Sequence, residues 1–272
     1  MPRKPTTPSL ADDHAAPGGA AAVDRALSLL AAFRSGDGPL ALAELAARTQ
    51  LYKSTALRLL ASLVHARLLH RQDDGRYTLG VEVARLHGVY QRQFSLGDVV
   101  LPVLRQLVAT TGESAAYHVL QGQPPHTSRL CLYRVDSPHP VRDHIKAGDV
   151  LPADRGAGAL VLMAYTSLPS SDGGINCLKN DTVSVRIRAD GYFSGVGQRL
   201  PDVAGVSAPV FGADGRIAGA ITLTLPAHRH DPRHIIPVVA AAQALTATLT
   251  GSLSANRNTP RAHGQAQQTD AH

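Results

Sequence analysis

A short stretch rich in basic and hydroxyl side chains, LYKSTALRLL at residues 51–60, has the composition best suited to chemistry. Lys53, Ser54 and Thr55 stand together at the start of a predicted helix, and Arg58 follows one turn later. Hydroxyls and free backbone amides at a helix start can bind a phosphate, and the helix dipole favours that charge. An arginine on the same face can reach a base edge or another phosphate in the major groove of DNA.

Two helices separated by a short turn would position these side chains. Apolar residues at helical spacing predict a first helix over residues 23–33, a second over 42–48 and a third over 53–66. The inner face of the third helix is apolar: Ala56, Leu60, Leu63 and Val64. Its outer face is polar: Ser54, Thr55, Arg58 and Ser62. This spacing indicates a helix-turn-helix.

A hairpin follows the third helix. Residues 68–71 and 76–79 have the composition of two short strands, and the Asp74-Gly75 pair between them is a strong hairpin signal. A helix-turn-helix followed by a hairpin is a winged helix. Such a hairpin would lay Arg71 or Arg76 along the neighbouring DNA backbone.

The basic charge is concentrated around these elements. The whole chain of 272 residues has a formal charge of +6, and residues 48–92 hold a net +5. The basic residues there are Arg48, Lys53, Arg58, Arg67, Arg71, Arg76, Arg85 and Arg92, and the acidic ones are Asp73, Asp74 and Glu82. An alternative is that Lys53, Ser54 and Thr55 only cap a helix in a protein that binds no DNA. The wing and the local charge favour double-stranded DNA as the partner.

The length and composition bound the remaining possibilities. The chain is long enough for two domains, and its 44% apolar content supports a real core. Its two cysteines, Cys131 and Cys177, are too far apart to predict a disulfide framework or a zinc site. We expect a cytoplasmic, nucleoid-associated protein with no membrane span, since no run of about 18 apolar residues occurs. Residues 1–19 and 254–272 are predicted to be disordered tails because they hold few large apolar residues.

The second half of the chain alternates strand and helix patterns. A linker helix is predicted over 81–93, and a further helix, capped by Ser95 and containing Pro102, ends at Gly112. Strands are predicted over 115–121, 129–135, 141–146, 203–211 and 217–225, and a closing helix over 235–253. The fold class is therefore α+β: a winged helix-turn-helix, a linker helix and a mixed α/β domain.

Several motifs resemble one bacterial family. AVDRALSLLAAF, LALAELAARTQLYKSTALRLLASL and GRYTLG look like the amino-terminal domain of the isocitrate lyase regulator (IclR) family of transcription factors. The order of the motifs is specific to that family. One departure is Gln50-Leu51-Tyr52, where the family usually has Gly-Leu-Pro. A lost glycine at a helix end costs about 1 kcal/mol if the backbone there is left-handed.

The carboxy-terminal half resembles the effector-binding domain of the same family, which is like a GAF sensor domain. The matching segments are TGES at 111–114, residues 151–162, RADGYF at 188–193 and GVSAPVFGADGRIAGAITLTLP at 205–226. The resemblance implies a small, often acidic metabolite held by a Gly-Ala amide pair at a helix start and by hydroxyls on the last strand. The candidate effector-binding residues are Leu151, Gly156, Ala157, Val203, Thr222 and Thr224. The alternative is that the threonines only favour a strand and the glycines only permit packing.

Two departures bear on the effector. The stretch between Tyr165 and Val185 is short and full of helix breakers, where the family has a longer helical segment. An acidic residue usually found soon after the Gly191-Tyr192 pair is missing. One wall of the pocket is therefore expected to be rebuilt or absent.

No pattern indicates an enzyme, a metal site or a cofactor. His228, His230, Asp231 and His234 could be imagined as metal ligands, but they lie in a predicted surface loop. Gly205–Pro209 lacks the second glycine of a nucleophile elbow, and no glycine-rich phosphate loop occurs. We therefore predict no catalytic residues. The sequence favours a regulator that binds operator DNA and a small-molecule effector as a homodimer or homotetramer. The rival is a metabolite-binding or scaffolding protein whose winged helix pairs with protein.

The domain boundaries follow from these elements. They are a tail at 1–19, the winged helix at 20–80, the linker at 81–94, the effector-binding domain at 95–253 and a tail at 254–272.

Overall fold

The computed structural model describes residues 9–13, 15–93, 96–122, 127–169, 175–177 and 181–257. The chain separates into two compact units. The first unit comprises Met1–Pro102, Ala116–Val135 and Asp143–Ala153, and the second comprises Val103–Ala115, Asp136–Arg142 and Asp154–His272.

The first unit begins with a helix-turn-helix and a wing. Its first seven elements are α1 (Leu10–Asp13), α2 (Ala21–Ala31), α3 (Leu42–Thr49), α4 (Lys53–His65), β1 (Leu69–Arg71), β2 (Tyr77–Leu79) and α5 (Val81–Gln93). The three predicted helices, the hairpin and the linker helix are confirmed to within two or three residues at each end. The short helix α1 lies within the stretch expected to be a disordered tail, and Ala11 on it is buried.

One apolar core holds the winged helix together. Leu29 from α2, Leu45 from α3 and Leu60 from α4 are fully buried in it. The wing joins the same core through Leu69 and Tyr77. Tyr77 also exchanges backbone hydrogen bonds of 2.8 and 2.9 Å with Leu40, which forms an isolated antiparallel bridge beside the hairpin. These contacts bury the inner face of α4, so its polar face is left to solvent.

The remaining chain builds the mixed α/β part. Its helices are α6 (Leu96–Thr111), α7 (Ala157–Tyr165), α8 (Thr182–Asp190) and α9 (Ile235–Arg257), with 3-10 turns at Ala227–Arg229 and Pro232–His234. Its strands are β3 (Ser114–Gln121), β4 (Ser128–Val135), β5 (Val150–Pro152), β6 (Ser167–Pro169), β7 (Ile175–Cys177), β8 (Phe193–Val196), β9 (Val203–Phe211) and β10 (Ile217–Pro226). Pro102 lies inside α6 as predicted, and the proposed Ser95 cap falls outside the described residues.

Six of the strands form two sets of three hydrogen-bonded neighbours. In the first unit they run in the order β5-β4-β3, and in the second in the order β10-β9-β8. Strands β9 and β10 form an antiparallel hairpin in which Ser207 lies opposite Thr222 and Gly205 opposite Thr224. Gly215 at the hairpin turn has φ 71°, the left-handed backbone that the Asp214-Gly215 pair predicts. The α+β class, with a helical amino-terminal part and a mixed α/β remainder, is confirmed.

The strand predicted over residues 141–146 is wrong. That segment forms no strand, because the backbone beside β4 is already taken by Gly148, Asp149 and β5. Cys131 of β4 donates its amide to the carbonyl of Asp149 at 2.9 Å and accepts from Gly148 at 2.7 Å. Arg129 and Leu151 then face each other in the β4-β5 ladder. Strands β5, β6, β7 and β8 and helix α8 were not predicted, and α9 continues to Arg257, past the expected boundary at 253.

Helix α9 packs on the sheet through one face. Val238, Ala242 and Leu245 are buried at helical spacing, and Ile236 is exposed. Among the described residues, Pro232–Gly251 is the segment long and apolar enough to cross a membrane by length and composition. The expected absence of a span stays a prediction, because helices of soluble proteins can pass the same test.

Candidate nucleic-acid interface and effector site

The start of α4 carries an exposed, uncapped group of donors. Tyr52 is the N-cap residue, and its side chain makes no capping hydrogen bond. The first turn holds no acidic residue, and Lys53 and Ser54 are exposed there. The unpaired first amides of the helix, with the positive end of the dipole, therefore remain available to an anion.

The predicted α4 residues line one open cleft against α2. Its volume is about 420 Å³. It is lined by Ala22, Arg25, Ser54, Thr55, Arg58, Leu59 and Ser62. Four of the seven predicted DNA-binding residues are therefore brought together, and Lys53 lies beside them at the helix start. The cleft is basic and hydroxyl-rich, which suits a phosphate oxygen.

Arg25 is a residue of this cleft that the site prediction missed. It comes from α2, three positions after Ala22, so the two side chains share a face of that helix. The sequence signal for Arg25 was its helical spacing from Ala22 and Leu29, which puts the three residues on one side of α2, where Leu29 is buried. Arg25 therefore adds a basic residue from α2 to a cleft that the prediction had drawn from α4 alone.

The two arginines of the wing differ in their surroundings. Both Arg71 and Arg76 are exposed on the hairpin. Arg76 forms an ion pair with Asp74 at 2.6 Å, and this contact holds the pKa of the aspartate below its usual range. Arg71 folds over the hairpin tip, where its Nη2 lies 3.6 Å from the position that a Cβ on Gly75 would take. A phosphate would have to compete with Asp74 for Arg76.

Part of the basic charge counted from the sequence is paired internally. Arg48 binds both Asp37 and Glu44, with 2.6 Å to Glu44, and donates to the carbonyl of Ala32 at 2.9 Å. Arg85 pairs with Glu82 at 2.6 Å. The charges of these two arginines are offset by their carboxylate partners, so they add less to the field that DNA meets than Lys53 and Arg58 do.

The predicted effector residues divide between the two units. Leu151 belongs to the first unit, where it packs against the buried side chains of Ala116, Cys131 and Ile145. Gly156, Ala157, Val203, Thr222 and Thr224 belong to the second.

In the second unit, the helix start and the threonines lie on the same side of the sheet. A Cβ on Gly205 would approach Ala157 Cβ to 2.8 Å, so Gly205 points at the start of α7. Thr224 lies opposite Gly205 in the ladder, and Val203 and Thr222 share this face by alternation. The predicted grouping of Ala157, Thr222 and Thr224 therefore follows from the register of β9 and β10.

Some polar groups of this face already have partners. Gly156 donates its amide to the carbonyl of Gln198 at 3.1 Å. Ser207 donates its hydroxyl to the carbonyl of Ile221 at 3.0 Å, and its Oγ lies 3.0 Å from Thr222 Oγ1. Because Ser207 has one hydrogen, Thr222 must be the donor in the second bond. The Thr224 hydroxyl is therefore a better donor to a carboxylate than the Thr222 hydroxyl. For the same reason the Ala157 amide is a better donor than the Gly156 amide.

Other candidate chemistry in the chain has a structural use. Arg229 binds the buried Glu113 with two bonds of 2.5 and 2.8 Å, and His230 Nε2 lies 2.9 Å from the Ser194 hydroxyl. Asp231 caps the turn at Pro232–His234. The described residues contain no group of three or more potential metal ligands. Burial raises the pKa of the Cys131 thiol to about 12, so this cysteine is not a nucleophile at neutral pH.

Comparison with known proteins locates the same amino-terminal motif. The model of the IclR helix-turn-helix domain matches residues 22–73. The glycerol operon regulatory protein of Streptomyces coelicolor is 26% identical over 215 residues, which cover 74% of this chain and 83% of that protein. The HTH-type transcriptional regulator BhcR of Paracoccus denitrificans is 28% identical over 232 residues, covering 78% and 80%. These relatives are regulators of transcription and not enzymes.

Solved structures share the fold. An IclR homolog from Microbacterium hydrocarbonoxydans, complexed with 4-hydroxybenzoate, aligns with a TM-score of 0.68 at 19% identity and covers 85% of this chain and 99% of that chain. An IclR transcriptional regulator from Alicyclobacillus acidocaldarius aligns with a TM-score of 0.70 at 18% identity, covering 86% and 98%. At these identities the likeness establishes the architecture.

Proposed function

The chain belongs to the IclR family of transcriptional regulators, and from that membership we propose that it controls a metabolic operon by binding operator DNA and a small organic acid. The proposed domains are a winged helix at 20–80, a linker helix at 81–94 and a GAF-like effector domain at 95–253, between tails at 1–19 and 254–272. The protein would act in the cytoplasm, on the nucleoid.

The observation that carries DNA binding is the single polar face of α4. The buried side chains of Ala56, Leu60 and Leu63 fix the rotation of the helix, so that Ser54, Arg58 and Ser62 face outward together. A helix with this exposed face fits the major groove, and the wing lies beside the adjacent backbone.

The candidate residues take different roles by position. Lys53, Ser54 and Thr55 surround the uncapped helix start and would bind phosphate. Arg58, one turn further on, would reach a base edge and carry sequence discrimination. Ser62 lies a further turn along the same cleft.

On the wing, Arg71 would be the stronger phosphate contact. Arg76 must first leave the Asp74 carboxylate, so its contribution is expected to be smaller.

A salt-titrated mobility shift on the region upstream of the chain's own gene tests this assignment. Lys53→Ala should weaken binding to all sequences alike and lower the salt slope by about 0.9. Arg58→Ala should cost about 1–3 kcal/mol and relax specificity at one position. The control is Arg186→Ala, an exposed arginine on α8 that should leave both quantities unchanged.

The same assay separates the two functions. If Lys53→Ala and Arg58→Ala both keep wild-type affinity, α4 is not the reading helix. If the wild-type protein shows no salt-sensitive binding to any duplex, the alternative gains support, in which a metabolite-binding or scaffolding protein pairs its winged helix with another protein.

The effector proposal is supported by the α7-facing side of β9 and β10. A carboxylate there would accept from the Ala157 amide and the Thr224 hydroxyl, and Val203 would pack against the apolar part of the ligand. Leu151 stays a candidate effector-binding residue from the sequence, and it packs within the first unit. Because Thr222 donates its only hydroxyl hydrogen to Ser207, it can only accept from a ligand, which favours a ligand that also carries a hydroxyl.

A thermal-shift screen of central-metabolism and aromatic carboxylates tests the pocket. Thr224→Val should abolish the shift of a true effector, and Thr222→Val should reduce it less. Thr110→Val, an exposed threonine on α6, is the matched control. Each hit should change operator affinity by about 5- to 150-fold, the usual range for coupling between two sites. Hits that survive both substitutions unchanged would place the pocket elsewhere.

A further inference from the structure

Arg25 stands where a DNA phosphate would enter the cleft between α2 and α4. It lines the cleft together with the helix-start hydroxyls of Ser54 and Thr55 and with Arg58. The site prediction did not include it, and it comes from an element outside the helix-turn-helix pair. Its position gives the cleft a cation on each wall.

An acidic side chain from the short helix α1 already binds this arginine. Arg25 donates to Asp12 Oδ1 from Nε at 2.9 Å and from Nη2 at 2.7 Å. Ser9 fixes the same carboxylate from the other side, with bonds to Oδ2 of 3.1 Å from its amide and 2.7 Å from its hydroxyl. The Ser9 hydroxyl and Arg25 lower the pKa of Asp12, so the carboxylate is charged at neutral pH.

Asp12 occupies the Nε–Nη2 edge of the Arg25 guanidinium, which offers the donors that a phosphate would also use. A carboxylate oxygen and a phosphate oxygen accept from the same guanidinium donors, so both cannot hold the same edge of Arg25. The ion pair is about one-third exposed on each side, with side-chain exposures of 35% and 28%. Pairs this exposed are weak and screened by salt, so a polyanion can displace the carboxylate.

We propose that Arg25 is a phosphate-binding residue of the DNA interface and that Asp12 of the amino-terminal helix competes with DNA for it. The inference rests on the proposed DNA-binding function and deepens it. Helix α1 then acts as an intramolecular brake on DNA affinity, because binding requires Arg25 to exchange Asp12 for a phosphate. The displaced Asp12 carboxylate would also repel the phosphate, which further weakens DNA binding.

The test is a salt-titrated mobility shift with two duplexes, the region upstream of the chain's own gene and an unrelated sequence of equal length. Asp12→Asn should tighten binding to both about 3- to 10-fold and steepen the salt slope by about 0.9, the value for one added phosphate contact. Asp13→Asn, in the same helix but without a bond to Arg25, is the matched control and should change affinity less than twofold.

Arg25→Gln, alone and combined with Asp12→Asn, completes a double-mutant cycle. It should weaken binding to both duplexes and should remove the whole gain of Asp12→Asn when the two are combined. Ser9→Ala, which loosens the Asp12 carboxylate without touching Arg25, should reproduce part of the gain. Unchanged melting temperatures for Asp12→Asn and Ser9→Ala would exclude a folding effect.

The outcomes separate this inference from the proposed function. Weaker or unchanged binding by Asp12→Asn would overturn the competition. If Arg58→Ala abolishes binding and Arg25→Gln has no effect, DNA binding stands and the role of Arg25 does not. If neither arginine matters, DNA binding through this face fails as well.

Discussion

At the residue scale, Gln50 is the position where side-chain identity and backbone conformation conflict. It ends α3 with φ 56° and ψ 28°, in the left-handed region, and its amide closes the last turn of the helix. A residue with a Cβ pays about 1 kcal/mol there relative to glycine. The related family usually has glycine at this position. Gln50 adopts the same left-handed backbone, which lowers the stability of the fold locally.

Gln50→Gly should therefore raise the free energy of unfolding by about 0.5–1 kcal/mol. The matched control is Gln106→Gly, because Gln106 is an exposed glutamine inside α6 with ordinary helical backbone. That change should lower stability by about 1 kcal/mol. Urea denaturation of both variants measures the difference. Changes of the same sign in the two variants would show that Gln50 is not strained.

At the element scale, the wing and α5 meet at a junction that tolerates no side chain. A Cβ on Gly80 would lie 2.1 Å from the carbonyl oxygen of Arg67, which is backbone and cannot move aside. Around it, Gly80 donates to Leu68 at 2.8 Å and Glu82 donates to Arg67 at 3.1 Å. The last glycine of the GRYTLG motif, Gly80, thus allows the start of α5 to pack directly against the backbone of the turn after α4.

Gly80→Ala should destabilise this junction by about 2–3 kcal/mol or more, since the clash can be relieved only by moving backbone. Its effect on DNA affinity should exceed that of a surface substitution, because the wing carries Arg71. Gly38→Ala is the control: no atom lies within 4 Å of its Cβ position. Thermal unfolding and a mobility shift measure both variants, and equal behaviour would contradict the steric argument.

A second junction explains the TGES motif without a ligand. Glu113 is 3% exposed and its two oxygens bind the guanidinium of Arg229, which also donates to the carbonyl of Val141 at 3.0 Å. Ser114 accepts from the amide of Ser137 at 2.9 Å. Buried carboxylates require such partners, so these residues hold the turn between α6 and β3 to the loop and 3-10 turn that contact it.

At the scale of the whole molecule, the exposed apolar side chains of the first unit point to self-association. Val23 and Leu27 on α2 are 54% and 55% exposed, and Val81 and Leu86 on α5 are 69% and 47% exposed. One winged helix also contacts too little DNA for typical specific affinity. We therefore propose a homodimer or homotetramer as the working unit.

Sedimentation at micromolar concentration should give a species heavier than the 28.6 kDa chain. Leu86→Glu should shift the distribution toward the single chain, because a charge in an apolar interface loses its hydration. Leu200→Glu changes a leucine of similar exposure, 41%, in the other unit and should leave the distribution unchanged. A wild-type protein that sediments only at 28.6 kDa would refute the proposal.

The sequence by itself determined most helices and strands and the outward face of α4. Helical and strand periodicities record local chain geometry, so the spacing of Ala56, Leu60 and Leu63 was enough to orient Arg58. The family resemblance added that glycine is usual at the position of Gln50, and the positive φ there agrees.

Only the tertiary structure decided which charged side chains and which hydroxyl hydrogens remain available to bind DNA or an effector. Arg48 meets Asp37, and Arg25 meets Asp12, through contacts 11 and 13 residues apart that periodicity does not encode. Likewise, β5 and not the segment 141–146 pairs with the edge of β4. Thr222 donates its hydroxyl hydrogen to Ser207 on the neighbouring strand. The physical reason is that a hydrogen bond or ion pair depends on which segments meet, whereas periodicity depends only on neighbours along the chain.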